Sequence, residues 1–246
     1  MQTVCQCILI FRLEWGGNLD QRYAVIPARG GSKRIPKKNH KDFLGKPMIT
    51  WPIEALKISG LFTDIFVSTD DKTIANLSRD LGATVLTRDP NLADDFTNTT
   101  EVMQHVIAKT FSSASNPWIY KIYPTSPINS VVVREFVKFT ESEDFGFSVS
   151  VMKAGLPVQR ALRMSSSGRL NFREIENALR RTQDLEAMYF DAGKLYGGRR
   201  AGWLETTSPL LSSPRGFVLP DWLSFDLDVP EDWEMAEFKC RNHVGK

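Results

Sequence analysis

The chain has 246 residues, 42% of them apolar and 24% charged, with a formal net charge of +2. That length buries one sizeable core, and the composition is ordinary for a soluble globular protein. The near-neutral balance gives no global basic field to hold nucleic acid, and no apolar run approaches the roughly 20 residues of a membrane span.

Cys5, Cys7 and Cys240 form neither a disulfide framework nor a zinc pattern, which fits a reducing, cytoplasmic setting. Residues 1–22 hold a small apolar patch, Cys7 to Phe11, too short for a secretory signal, and then a Gly16-Gly17-Asn18 turn. We assign this N-terminal extension no role and treat 23–246 as one domain.

Ala24-Val25-Ile26 reads as a buried strand that ends at Pro27. The loop after it, Ala28-Arg29-Gly30-Gly31-Ser32-Lys33-Arg34, joins two glycines to three cations, and Lys37 adds a fourth. Adjacent glycines let backbone N–H groups turn toward one point, and Lys and Arg complete a polyphosphate cradle. The pattern is neither the P-loop nor the Rossmann fingerprint, so composition alone equally describes a solvated basic loop. Its place after a buried strand favours a ligand role, because open parallel sheets bind ligands there. Asn39 supplies a side-chain amide suited to a nucleobase or ribose.

A helix runs to Ile58 and stops at Gly60; Pro52 requires it to begin late, with Thr50 as cap, or to kink. Ile65 to Val67 is the second strand, and Asp70-Asp71 then open a helix from Lys72 to Leu81. Helix capping accounts for this acidic pair at about even odds. A third strand covers Ala83 to Leu86, a polar loop runs from Arg88 to Thr100, and a helix spans Glu101 to Phe111. His105 sits among Val102, Met103 and Val106 and reads as structural. Trp118 to Ile122 is a central strand ending in Tyr123-Pro124-Thr125-Ser126-Pro127, and Ser130 caps the helix that follows. From Phe145, alternation to Met152 marks a further strand; then the regular strand–helix order breaks down.

Late in the chain, Asp226 and Asp228 stand at i and i+2 of an extended segment, so both carboxylates share one side. Hard oxygen ligands at that spacing suit Mg²⁺ shared with substrate phosphates, with Mn²⁺ as a substitute. Pro230, Glu231 and Asp232 open the last helix and read as structural.

Taken together, Ile26 to Asn39, Asp94-Asp95-Phe96-Thr97, Tyr123 to Pro127, Arg181-Thr182-Gln183-Asp184, Asp191-Ala192-Gly193 and Asp226-Leu227-Asp228 resemble the cytidylyltransferases that activate nine-carbon acidic sugars. These are the CMP-sialic acid synthetases and their relatives acting on pseudaminic and legionaminic acids. Asp-Ala-Gly at 191–193 and Pro157 to Leu162 are similar to the pseudaminic acid branch, whereas Lys194 departs from its pattern. The resemblance implies a three-layer α/β fold of nucleotide-diphospho-sugar transferase type, with a mostly parallel sheet. It also implies a small excursion, about residues 155–190, that serves dimerisation and the acceptor sugar in a homodimer.

By the same resemblance Ala28, Arg29, Gly30, Gly31, Ser32, Lys33, Asn39, Asp70, Arg88 and Thr99 bind CTP. Thr125, Ser126, Arg181, Gln183 and Asp191 meet a nonulosonic acid, with Arg181 taking its carboxylate. Arg29, Lys33, Asp226 and Asp228 are the expected catalytic set, the two aspartates holding the metal. No serine, cysteine or histidine stands in a triad-like setting, so no covalent enzyme intermediate is expected. Rival readings are the same reaction on N-acetylneuraminic, legionaminic or 3-deoxy-manno-octulosonic acid, and a non-catalytic nucleotide binder.

Overall fold

A computed structural model describes residues 21–93, 97–112, 114–143 and 146–244. The N-terminal extension before Gln21, the Asp94-Asp95-Phe96 motif and Phe145 lie outside the described residues.

Strand β1 (Arg22–Pro27) is followed by a two-stranded hairpin, β2 (Asp42–Phe43) and β3 (Lys46–Pro47), and by helix α1 (Thr50–Ser59). Thr50 is the first helical residue rather than the cap, so Pro52 falls in the first turn, where its missing N–H has no intrahelical acceptor. Gly60 closes α1 at φ 70°. Then come β4 (Asp64–Thr69), α2 (Lys72–Asp80), β5 (Thr84–Thr87), α3 (Thr99–Thr110), β6 (Trp118–Ile122) and α4 (Ser130–Glu141). Helices α3 and α4 are capped by Asn98 and Asn129, one residue earlier than Ser130 in the second case. Each asparagine side chain accepts a backbone N–H of the first turn.

The second half holds β7 (Phe147–Lys153), a small hairpin of β8 (Leu162–Met164) and β9 (Leu170–Phe172), the long β10 (Tyr189–Arg199), and helix α5 (Arg200–Glu205). Strand β11 (Arg215–Val218) and helix α6 (Pro230–Cys240) complete the chain. The main sheet runs β11-β7-β10-β6-β1-β4-β5, and only β10 is antiparallel to its neighbours. This is the mostly parallel α/β sheet expected. β10 is a strand the sequence did not suggest, because a bulge between Asp191 and Tyr196 and paired glycines hide its alternation. Those glycines are sterically required: a Cβ on Gly197 would lie 2.8 Å from the Tyr120 ring, and one on Gly198 2.6 Å from Phe147.

Alternation along the strands builds two cores, one per face. Ala24, Ile26, Tyr120 and Ile122 pack against Ile53 and Leu56 of α1 and Phe136 of α4. Val25, Ile119, Phe147 and Val149 face Met103 and Ile107 of α3 and Trp203 of α5, which makes three layers. A third cluster joins Ile35, Phe43 and Trp51 to Phe225, Leu227 and Trp233, and so ties the start of the chain to its end. Burying these side chains drives the two segments together at roughly 25 cal/mol per Å² of apolar surface removed from water. Strand order reverses between β1 and β6, the switch point where sheets of this kind leave a crevice.

Candidate active site

A cleft of about 270 Å³ opens at that switch point. The segment after β1 supplies Arg29, Ser32, Lys33, Arg34, Lys38 and Asn39; Arg88, Thr99, Tyr123 and Thr125 form the opposite wall. Five of these side chains are cationic, so the cleft concentrates positive charge that the chain as a whole lacks.

The loop is held from beneath. Gly30 N donates to Asp70 Oδ1 at 2.9 Å, so Asp70 anchors the loop, and Asp71 caps α2 by accepting from Ile74 N at 2.9 Å. Ser32 N donates to Gly30 O at 3.1 Å. Two of the expected cradle amides are thus engaged within the protein, and the cations carry the cleft's charge. Asn39 is buried, and its amide donates to Arg29 O at 2.7 Å, so it helps shape the loop. Ala28 is fully buried, its N–H bonded to Ser68 O. Arg88 is buried beside the cleft, donating Nη2 to Ser68 O at 2.9 Å; burial lowers its pKa and nearby Asp70 opposes the shift.

Thr125 lines the cleft, but Ser126 is fully buried behind it, with no hydrogen-bond partner for its hydroxyl among the described residues. Only one of the two hydroxyls therefore reaches the cleft.

The late acidic pair stands at the rim. Arg34 Nη2 approaches Asp228 Oδ1 to 2.7 Å, and Lys38 feels both Asp226 and Asp228. Two lysines fasten the segment: Lys38 Nζ donates to Leu227 O at 2.7 Å and Lys194 Nζ to Phe225 O at 3.0 Å. Burial pushes Lys194 down to about 8, with Asp226 opposing. Lys194 therefore supports the backbone on one side of Asp226. Sequence reading missed this, because no local spacing links 194 to 225. No third His, Cys, Asp or Glu joins the pair as a metal-holding group among the described residues. Two carboxylates with the remaining ligands left to phosphate and water is a donor set that fits Mg²⁺.

On the acceptor side, Asp191 sits in the β10 bulge and accepts from Gly193 N at 3.0 Å and from the Tyr196 hydroxyl at 2.6 Å. Arg181 and Gln183 are exposed in the excursion, outside the cleft lining; Arg181 Nε pairs with Asp184 Oδ2 at 2.7 Å. The structure thus brings the loop, Arg88, Thr99, Thr125 and the Asp pair together but leaves Arg181 and Gln183 apart.

A cationic crevice at the switch point of a parallel sheet, with a carboxylate pair beside it, is the kind of cleft that suits a nucleotide's phosphates. The chain belongs to the cytidylyltransferase family, whose sequence model matches residues 23–151. It is 35% identical over 227 residues to the pseudaminic acid cytidylyltransferase of Campylobacter jejuni subsp. jejuni, covering 89% of this chain and 96% of that protein. The N-acylneuraminate cytidylyltransferase of Streptococcus agalactiae is 28% identical over 85% of this chain and 51% of its own length. Among solved structures, CMP:2-keto-3-deoxy-manno-octonic acid synthetase complexed with CTP superimposes with a TM-score of 0.62 at 19% identity, over 91% of this chain and 100% of that one. At that identity the likeness speaks to the fold alone.

Proposed function

We propose that this protein transfers a cytidylyl group from CTP to the anomeric hydroxyl of a nonulosonic acid, pseudaminic acid first among them, releasing pyrophosphate. The observation that carries this reading is the meeting of the cationic loop and the Asp226/Asp228 segment beside one cleft, in a chain 89% of which aligns with a pseudaminic acid cytidylyltransferase.

Arg29, Lys33, Arg34 and Arg88 bind and orient the triphosphate by charge-assisted hydrogen bonds. The anomeric hydroxyl loses its proton to solvent as its oxygen bonds to the α-phosphorus; the bond from that phosphorus to the bridging oxygen breaks, and the electron pair leaves with pyrophosphate. Asp226 and Asp228 would hold Mg²⁺, which when bound neutralises phosphate charge. Positioning and electrostatics supply the acceleration, and no side chain is acylated or phosphorylated on the way.

Arg181 receives the acceptor carboxylate in this account, and it does so in a homodimer. The excursion exposes Leu156, Met164, Leu170, Ile175 and Leu179, the last at 98%, an apolar face that a second copy would cover. Among the described residues no helix is long and apolar enough to cross a membrane. We place the reaction in the cytoplasm.

The test is a pyrophosphate-release assay with CTP, Mg²⁺ and a panel of pseudaminic, legionaminic, N-acetylneuraminic and 3-deoxy-manno-octulosonic acids. Fastest turnover with pseudaminic acid is expected. Release with none of the four overturns the reading, and a preference for another acid reassigns the acceptor.

A further inference from the structure

The central strand breaks its own pattern. Trp118, Ile119, Tyr120 and Ile122 are buried apolar residues of β6, yet position 121 between them is a lysine, 2% exposed. It pairs in register with Val25 of β1 and Tyr196 of β10, on the sheet face that also carries Ile119 and packs against α3 and Trp203. A methionine would fill that place without desolvating an ammonium, so local rules argue against lysine unless it serves the site.

Its surroundings suggest what it serves. Lys121 Nζ lies 3.1 Å from Thr99 Oγ1, and Thr99 Oγ1 lies 3.1 Å from the Tyr123 hydroxyl. The same ammonium sits 3.7 Å from the centre of the Tyr196 ring and 4.9 Å from that of Tyr123, within cation–π range of both. Thr99 and Tyr123 line the cleft, while Lys121 stands behind them. Asp191 of β10 is the charge that acts on Lys121, and burial holds the neighbouring Tyr123 and Tyr196 hydroxyls protonated.

We propose that Lys121 is a positioning residue for the nucleotide cleft, setting through Thr99 the direction in which the Thr99 and Tyr123 hydroxyl hydrogens point. The inference rests on the cytidylyltransferase reading of the cleft. An ammonium only donates, so Thr99 Oγ1 accepts from it and the Thr99 hydrogen turns outward, to Tyr123 or to an acceptor atom of the ligand. A neutral amine can accept as well as donate, which releases the Thr99 hydrogen to turn inward, away from the ligand. Burial pushes Lys121 down to about 7, so the changeover falls near neutral pH. The charged form therefore suits an acceptor-rich ligand such as CTP.

CTP affinity of the wild type, Lys121→Met and Thr99→Val, measured by calorimetry from pH 6 to 8.5, tests this. The ligand's own phosphate titration is common to all three proteins and cancels in their ratios. At pH 6 the wild type should bind about tenfold tighter than Lys121→Met, the size of one hydrogen bond to a charged group. That ratio should close to within about twofold by pH 8.5, where the wild-type lysine is neutral. Thr99→Val, which cuts the link but keeps the shape, should lack the same pH-dependent step. Lys121→Met should also melt no lower than the wild type while its KM for CTP rises, a combination that a packing role does not produce. A constant wild-type to Lys121→Met ratio overturns the proposal, as does survival of the step in Thr99→Val; the latter decides alone if Lys121→Met fails to fold. Failure of the wild type to bind CTP at any pH overturns this inference together with the reading of the cleft.

Discussion

Arg34 and Asp228 meet at 2.7 Å, joining the loop that follows the first strand to the acidic segment before the last helix. Both side chains are substantially exposed, at 67% and 43%, so the pair itself adds little to stability. The apolar cluster of Ile35, Phe225, Leu227 and Trp233 holds the two segments together. Under the proposed function the pair would exchange partners, Arg34 toward a phosphate and Asp228 toward a metal.

Arg34→Ala should change the melting free energy by no more than about 1 kcal/mol, the usual range for an exposed ion pair. Affinity for CTP should nonetheless fall several-fold. Thermal melts alongside equilibrium CTP binding read both quantities, and a large loss of stability would show that the contact is structural.

Gly30→Ala tests how tightly the loop lies on α2. A Cβ there would stand 2.9 Å from both Asp71 Cβ and Asp71 Oδ2, closer than real contacts allow. Either the loop lifts, losing the Gly30–Asp70 bond, or Asp71 releases its cap on α2. We expect a loss of about 1–3 kcal/mol in chemical denaturation, with a raised KM for CTP. Gly31→Ala meets nothing within 4 Å and should be near neutral in stability, which makes it the control.

Part of this cleft is legible in the sequence: the loop cations and the opening at the end of β1 follow from local spacing and strand position. The weight on the Asp226/Asp228 pair comes from the family resemblance as well as from the i, i+2 spacing. What stayed hidden depends on distant packing. Asn39 spends its amide on Arg29 O, and Ser126 faces the interior, because both belong to turns whose direction is set by what packs behind them. β10 went unread since its glycines answer to Tyr120 and Phe147 across the sheet, not to any local pattern. Lys121 looked like one residue of an apolar strand, and its burial follows only once α3 and β10 close over it.

Lys121→Met should raise stability most at neutral and acid pH. The buried lysine's pKa of about 7 lies below its ordinary value of 10.5. Between those values the unfolded chain holds a proton that the folded chain does not, so wild-type stability rises with pH across this window. The penalty is fully present below about pH 7 and relieved by about pH 10.5. Replacing a buried charge by a packed apolar side chain typically stabilises by about 1–4 kcal/mol. Denaturation of both proteins at pH 7 and pH 10 should show the gain shrinking at the higher pH; an equal gain at both would contradict the assignment.

Arg181→Ala addresses the acceptor. Its partner Asp184 is within the same turn, and both are well exposed, so folding should be almost unchanged. The KM for the sugar should rise at least tenfold, with the KM for CTP little altered, as expected for loss of a guanidinium–carboxylate pair. Steady-state kinetics with each substrate varied in turn separates the two; an equal rise in both would remove Arg181 from the acceptor site.

The most direct measurement is Mg²⁺-dependent pyrophosphate release by Asp228→Ala beside CTP binding by the same protein. If the loop cations bind the triphosphate and the acidic pair serves the transfer, turnover falls by about a hundredfold or more while CTP affinity changes far less. Turnover close to that of the wild type would contradict the account, because the two ends of the chain would then meet without sharing the chemistry.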